Sequence, residues 1–208
     1  MHRPVAIAGD TRESFTVDEL ETGLQYRFVL PGPSLAHQEL QRCLDALAAL
    51  RPTPAYVVLS GSFPPGVGLG FYDELLALVR RIGARLVVDL SGEPLRYAVR
   101  QGGAYLMKPS LNELATIMGQ PLPSEAGQEQ ALRGLIAQGC AEIIVLSLAP
   151  GCLYACGDRL QRLPARTCRW SARWERATAC SLPWCWPWLK GRTCTRPCAT
   201  ASPPEPRP

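Results

Sequence analysis

The sequence predicts an α/β fold on a mainly parallel sheet covered on both faces by helices, and three observations carry that prediction. Short apolar runs recur along the chain: Tyr56-Val57-Val58-Leu59, Leu86-Val87-Val88, Tyr105-Leu106-Met107 and Ile143-Ile144-Val145-Leu146. Segments of helical spacing separate them, as expected of parallel strands joined by crossover helices and covered on both faces. Glycine-rich or polar breaks follow Leu59, Val88, Met107 and Leu146, at the carboxyl ends of the strands, where open α/β sheets bind their ligands. A chain of 208 residues, 47% hydrophobic and 19% charged, is long enough for a sizeable core in one or two domains. No apolar run approaches the roughly 18 residues that span a bilayer. The start also lacks the longer apolar stretch of a secretory leader, so a cytoplasmic protein is expected.

Taken in order, Ser14–Val17 and Leu24–Leu30 are β-rich runs on either side of Glu21-Thr22-Gly23, a hairpin signal with polar residues at alternate positions. Pro31-Gly32-Pro33 breaks the chain, and Ser34 is placed to cap a helix running to about Leu50. The strand ending at Leu59 leads into Ser60-Gly61-Ser62-Phe63-Pro64-Pro65-Gly66. Tyr72 to Ile82 has helical spacing (Leu75, Leu76, Leu78, Val79, Ile82) and stops at Gly83. After the next strand, Asp89 is expected to cap the following turn, and Ser91-Gly92-Glu93 opens a short helix. Lys108-Pro109-Ser110-Leu111-Asn112-Glu113-Leu114 begins another helix, and a further one near Glu125–Gln138 precedes the last apolar strand.

Composition divides the chain near residue 165. All five tryptophans and five of the nine cysteines lie after Ala165. Residues 1–164 carry a net charge of −2 and residues 165–208 a net charge of +6, so the overall +4 belongs to the tail alone. That distribution gives no argument for nucleic-acid binding by the body of the protein. The tail shows neither helical nor strand periodicity and is expected to be disordered. Cys152-x₃-Cys156, Cys180-x₄-Cys185 and Cys194-x₃-Cys198 lack nearby histidines and zinc-knuckle spacing, and His2 and His37 suggest no catalysis.

Four sequence segments at the strand ends occur in a recognisable order: Ser60-Gly61-Ser62-Phe63-Pro64-Pro65-Gly66, Asp89-Leu90-Ser91-Gly92-Glu93, Lys108-Pro109-Ser110-Leu111-Asn112-Glu113 and Ser147-Leu148-Ala149-Pro150-Gly151. With the hairpin ending Tyr26-Arg27-Phe28-Val29-Leu30-Pro31-Gly32, they resemble the ribokinase-like (PfkB) carbohydrate kinases over about residues 10–164, most closely the phosphofructokinase branch. The resemblance implies a ribokinase-like three-layer α/β/α sandwich with a small β lid near 14–30, here incomplete, and transfer of the ATP γ-phosphoryl group, with Mg²⁺, to a sugar phosphate, fructose 6-phosphate before fructose 1-phosphate or tagatose 6-phosphate. It implies substrate contacts at Arg12 and Ser62, nucleotide contacts at Lys108, Ser147 and Gly151, and Glu113 organising Mg²⁺ through water. A homodimer through the lid is also implied. On this reading residues 1–164 are a partial kinase domain, with a lid at 12–31 and an α/β core at 35–164.

The chain departs from the family pattern in ways that matter. Ser110 stands where the Asn-x-x-Glu motif has asparagine, and the nucleotide loop is one residue short, with Ala149 in place of a glycine. The amino-terminal Gly-Gly-x-Asn sugar signature and the Gly-Ala-Gly-Asp motif, which carries the catalytic base, are not in the sequence. Back-translation of Trp174–Cys180 with GC-rich codons, read one base upstream, gives Val-Gly-Ala-Gly-Asp-Ser-Leu. The same shift over Pro183–Lys190 gives Ala-Met-Val-Leu-Ala-Leu-Ala-Glu, an apolar helix. A one-base insertion or deletion near codons 163–169, with 165–208 translated out of frame, is therefore expected, and so is little or no phosphotransferase activity.

Each site residue also has a plainer reading. Lys108 is an ordinary lysine before a proline, Glu113 a helix-dipole partner, Ser60-Gly61-Ser62 a rigid turn and Arg12 a solvated lid residue. Three function classes stay open: a kinase fragment, a non-catalytic nucleotide- or sugar-binding module pairing with an intact kinase subunit, and a tail that acts at membranes or nucleic acid. The last is the weakest, because Trp-x-Trp-x-Trp interrupted by prolines builds no amphipathic helix.

Overall fold

A computed structural model describes residues 4–149 and 151–165. The expectations for the tail, with all its tryptophans, lie outside the described residues. The elements are β1 (Ser14–Asp18), β2 (Gln25–Val29), α1 (His37–Ala48), β3 (Tyr56–Gly61), α2 (Phe71–Arg81), β4 (Arg85–Leu90), α3 (Gly92–Gln101), β5 (Ala104–Met107), α4 (Leu111–Met118), α5 (Glu125–Ala137), β6 (Ala141–Ser147), β7 (Cys152–Cys156) and β8 (Arg159–Leu163).

β3 to β8 form one sheet in sequence order, while β1 and β2 pair separately. β3, β4, β5 and β6 run parallel, each step crossed by helix, and β7 and β8 add an antiparallel edge. The sheet is therefore mainly parallel, as its apolar runs predict, but the final hairpin is an addition to the expected pattern.

α2 shows how the sequence makes these helices. Asp73 and Glu74 lie in its first turn and Arg80 and Arg81 in its last, complementing the helix dipole. Its apolar stripe, Tyr72, Leu75, Leu76, Leu78 and Val79, is buried against the sheet. Gly83, at φ 71°, then turns the chain into β4. The Tyr72 hydroxyl donates to the Gly102 carbonyl at 3.1 Å, and burial pushes its pKa up to about 12.

Two expectations need correction. Ser34 does not cap α1: the cap position is Ala36, whose backbone N–H donates to Glu39 Oε2 at 2.7 Å. Cover on both sheet faces also fails at β3, where Val57 and Leu59 pack on the core but Val58 is 53% exposed. In the hairpin, Phe15 pairs with Phe28 and Val17 with Tyr26, placing all four side chains on one face. The two phenylalanine rings stack at 4.9 Å between centroids, and all four residues stay exposed.

Candidate functional site

The carboxyl ends of β3, β4, β5 and β6 meet at one edge and are tied together by their backbones. Ser91 N–H donates to the Gly61 carbonyl at 3.3 Å, Lys108 N–H to Val88 at 2.9 Å and Ser147 N–H to Pro109 at 2.9 Å. Ser110 and Ser147 form a further parallel bridge. These bonds hold in one row the loops that the sequence marks as punctuation.

At the β3 end, Gly61 takes φ 100°, a backbone region that favours glycine, and turns the chain so that Ser62 faces the segment preceding β1. There Arg12 Nη1 donates to Ser62 Oγ at 2.9 Å across fifty residues of sequence. Both side chains are exposed, and among the described residues no carboxylate pairs with Arg12. The two residues assigned to the sugar phosphate are thus brought together. A guanidinium whose partner is a hydroxyl keeps its fork open to a phosphate.

Two strands away, β5 ends at Met107, and Lys108 Nζ lies 3.0 Å from Asp89 Oδ1 at the end of β4. Asp89 therefore holds the lysine, whereas the sequence reading gave it a turn to cap. The cue was its position: a carboxylate at the carboxyl end of the strand beside the one that delivers Lys108. With parallel strands about 4.8 Å apart, the Ser62 and Lys108 ends are separated by roughly 10 Å across the row.

Ser110 caps α4. Its hydroxyl accepts from Glu113 N–H at 3.3 Å, while Glu113 Oε2 accepts from Ser110 N–H at 2.7 Å and from its hydroxyl at 2.8 Å. This reciprocal box fixes Glu113 at the sheet edge and uses one of its carboxylate oxygens. Ser147 and Gly151 bound the turn from β6 to β7, closed by Leu148 N–H donating to the Gly151 carbonyl at 2.9 Å. Gly151 has φ 96° and is buried. Among the described residues Ser147 Oγ is enclosed with no hydrogen-bond partner, a cost that a native site normally offsets with a ligand or water.

A model of the pfkB family of carbohydrate kinases matches residues 2–168. The chain belongs to that family. Relatives of this pfkB-family chain include the ATP-dependent 6-phosphofructokinase isozyme 2 of Mycobacterium tuberculosis, 44% identical over 70% of this chain and 42% of that protein. The isozyme 2 of Escherichia coli K12 is 34% identical over 67% of this chain and 45% of its own length. The 1-phosphofructokinase of Xanthomonas campestris is 34% identical over 77% of this chain and 51% of its own. A crystal structure of Escherichia coli phosphofructokinase-2 in complex with fructose-6-phosphate superposes with a TM-score of 0.75 at 26% identity, over 86% of this chain and 59% of that one. The pfkB-family chain thus spans about half the length of the curated relatives it matches, and its described architecture is that of the ribokinase-like fold.

Proposed function

We propose that this chain is a phosphofructokinase-like fragment that binds a sugar phosphate and ATP but does not transfer phosphate between them. The juxtaposition of Arg12 and Ser62, two strand spacings from Lys108, carries the reading. It separates an acceptor end and a donor end along one sheet edge. Arg12 and Ser62 take the acceptor's phosphate, with fructose 6-phosphate preferred over fructose 1-phosphate and tagatose 6-phosphate. Lys108, Ser147 and Gly151 take the nucleotide, and the unpartnered Ser147 hydroxyl is the observation that fits a ligand there.

Magnesium fits in a limited sense. No group of three or more His, Cys, Asp or Glu among the described residues is arranged to hold a metal ion by itself. One or two carboxylates together with substrate phosphates and water are what Mg²⁺ normally uses, and Glu113 keeps one oxygen outside its capping box. ATP, when bound, supplies the phosphoryl group, and the cation spreads its charge. The sequence holds no Gly-Ala-Gly-Asp segment to supply the base and the anion hole, so this chain positions substrates without completing the transfer.

The tail belongs to the same proposal. The family match stops at residue 168, within the 163–169 window that the insertion or deletion is proposed to occupy. Residues 1–164 form the partial kinase domain, and 165–208 are out-of-frame translation. Among the described residues no helix is long and apolar enough to cross a membrane, and the proposed setting is cytoplasmic. A second reading rests on the exposed aromatic face of the β1–β2 hairpin: the lid pairs with a second copy or with an intact kinase subunit.

Calorimetry with fructose 6-phosphate tests the principal reading, alongside an assay of nucleoside diphosphate release. The expected outcome is binding that Arg12→Ala weakens about tenfold or more, the worth of a charged hydrogen bond, with no release above background. Binding that ignores Arg12→Ala, or no binding at all, overturns it.

A further inference from the structure

Of the 22 basic residues only Lys108 and Lys190 are lysines, so the strand end at 108 carries the flexible point charge in a body otherwise supplied with arginine. The other ion pairs among the described residues lie on or against helices: Arg42–Glu39, Arg96–Glu93 and Arg162–Glu125. Lys108–Asp89 is different, because it joins the ends of two adjacent parallel strands at the candidate site, with side chains 17% and 33% exposed. Lys108 N–H is fixed on the Val88 carbonyl, and residue 109 is a proline, so the backbone here is held and any exchange of partners falls to the four-carbon side chain.

We infer that Asp89 is a resident competitor for Lys108: it occupies the ammonium in the empty site and so selects against bare polyphosphate anions. The inference rests on the nucleotide reading of the site and adds to it a rule of selectivity. An anion that approaches alone must displace Asp89 from Lys108 and then sit beside the released carboxylate. Both costs grow with the anion's charge and with the partial burial that limits solvent screening. A ligand that brings a cation with its phosphates meets a neutralised carboxylate and pays neither cost in full. Asp89 is on this account a positioning residue, acting on the ligand through Lys108. A carboxylate present only to anchor two strand ends has a different consequence, because its removal leaves anion binding unchanged or weaker.

Calorimetry on the full 208-residue chain at low salt decides between these, with inorganic tripolyphosphate as the probe, first with EDTA and then with Mg²⁺. Asp89→Asn is expected to bind tripolyphosphate about fivefold tighter than wild type in EDTA, the upper end for a pair of this exposure. That gain shrinks toward unity with Mg²⁺, and Lys108→Met loses binding in both conditions. Asp89→Ser guards against an effect peculiar to the amide and must move affinity the same way. If neither Asp89 variant tightens binding in EDTA, with melting temperatures near wild type, the competitor role is overturned. A parallel titration with ADP separates the two readings. If tripolyphosphate behaves as stated and ADP does not bind, the nucleotide reading falls and the competitor stands. If ADP binds and the Asp89 exchanges give no gain, the competitor falls and the nucleotide reading stands.

Discussion

Ser110 replaces the asparagine of the family's motif, yet both side chains are among the preferred helix N-caps, so the local fold does not register the exchange. Its hydroxyl accepts from Glu113 N–H and donates to Glu113 Oε2, a pattern that the Ser-x-x-Glu spacing announces. Ser110→Ala is expected to cost about 1 kcal/mol of stability, and Ser110→Asn only a few tenths, both read from urea denaturation midpoints. Glu39 was harder to see. It is buried, and it accepts from Ala36 N–H and Ala8 N–H, each at 2.7 Å, tying the segment before the lid to α1. The sequence offered Ser34 as a stronger cap two residues earlier, and an alanine at the cap position leaves only the acidic half of a capping box to read. The Ala36 N–H first, then the Ala8 N–H, hold the Glu39 carboxyl below its ordinary value. A lowered folded-state pKa means that Glu39 adds stability above its unfolded pKa and gives it up as the pH falls through the folded value. Thermal melts of wild type and Glu39→Gln are therefore expected to differ most near neutrality and to converge in acid; a gap that is constant with pH contradicts this.

The two hairpins show what was legible at the level of elements and what was not. β1 and β2 were readable because Glu21-Thr22-Gly23 divides two β-rich runs with alternating polarity, and the register puts Phe15, Val17, Tyr26 and Phe28 on one face. A two-stranded ribbon is marginal alone, and an exposed aromatic face on it is a surface built to be covered. Phe15→Ser with Phe28→Ser is expected to shift a self-associated species to monomer in sedimentation, while α-helical signal persists; unchanged sedimentation excludes lid pairing. β7 and β8 went unread, although Cys152-Leu153-Tyr154-Ala155-Cys156 alternates buried and half-buried residues and Gly157-Asp158 supplies the turn. That pattern covers only five residues and follows directly on the glycine- and proline-bearing Ser147–Gly151 segment, so it is too short to separate strand from loop. The parallel strands were legible for the opposite reason: burial on the core makes them short continuous apolar runs, told from buried helix by their length and by the glycine-rich or polar breaks that bound them. At the candidate site, the motifs point to Arg12, Ser62 and Lys108 as expected contacts, whereas the Asp89–Lys108 contact lies between neighbouring strands and has no signature along the chain.

Over the whole described body, α2 to α5 pack on the sheet and close its core, and β3 is left as an edge with β4 as its only strand partner among the described residues. Val58 on that strand is 53% exposed, and an apolar edge strand is a template for unwanted pairing. Val58→Lys is expected to raise the soluble fraction on expression and to lower light scattering on warming, since a charge on an exposed edge costs the fold little; no change in either measurement means that the edge is not the aggregating surface. The chain's chemistry divides at nearly the same scale, for the described fold ends with β8 at Leu163 and the family match at residue 168. Beyond them lie the tryptophans, the excess positive charge and no Asp, Val, Ile or Phe, a composition that selection for a packed core does not produce. Because tryptophan has a single codon, the overlapping frame is constrained at Trp174 and again at Trp184, Trp186 and Trp188, and both stretches give family-like sequence. Sequencing genomic DNA across codons 155–180 is therefore expected to reveal Val-Gly-Ala-Gly-Asp-Ser in the neighbouring frame. Restoring that base together with the upstream frame is then expected to restore a kinase, read as nucleoside diphosphate release with fructose 6-phosphate. Codons that do not encode the motif make the tail a genuine element and leave the binding module, rather than the interrupted kinase, as the function of this chain.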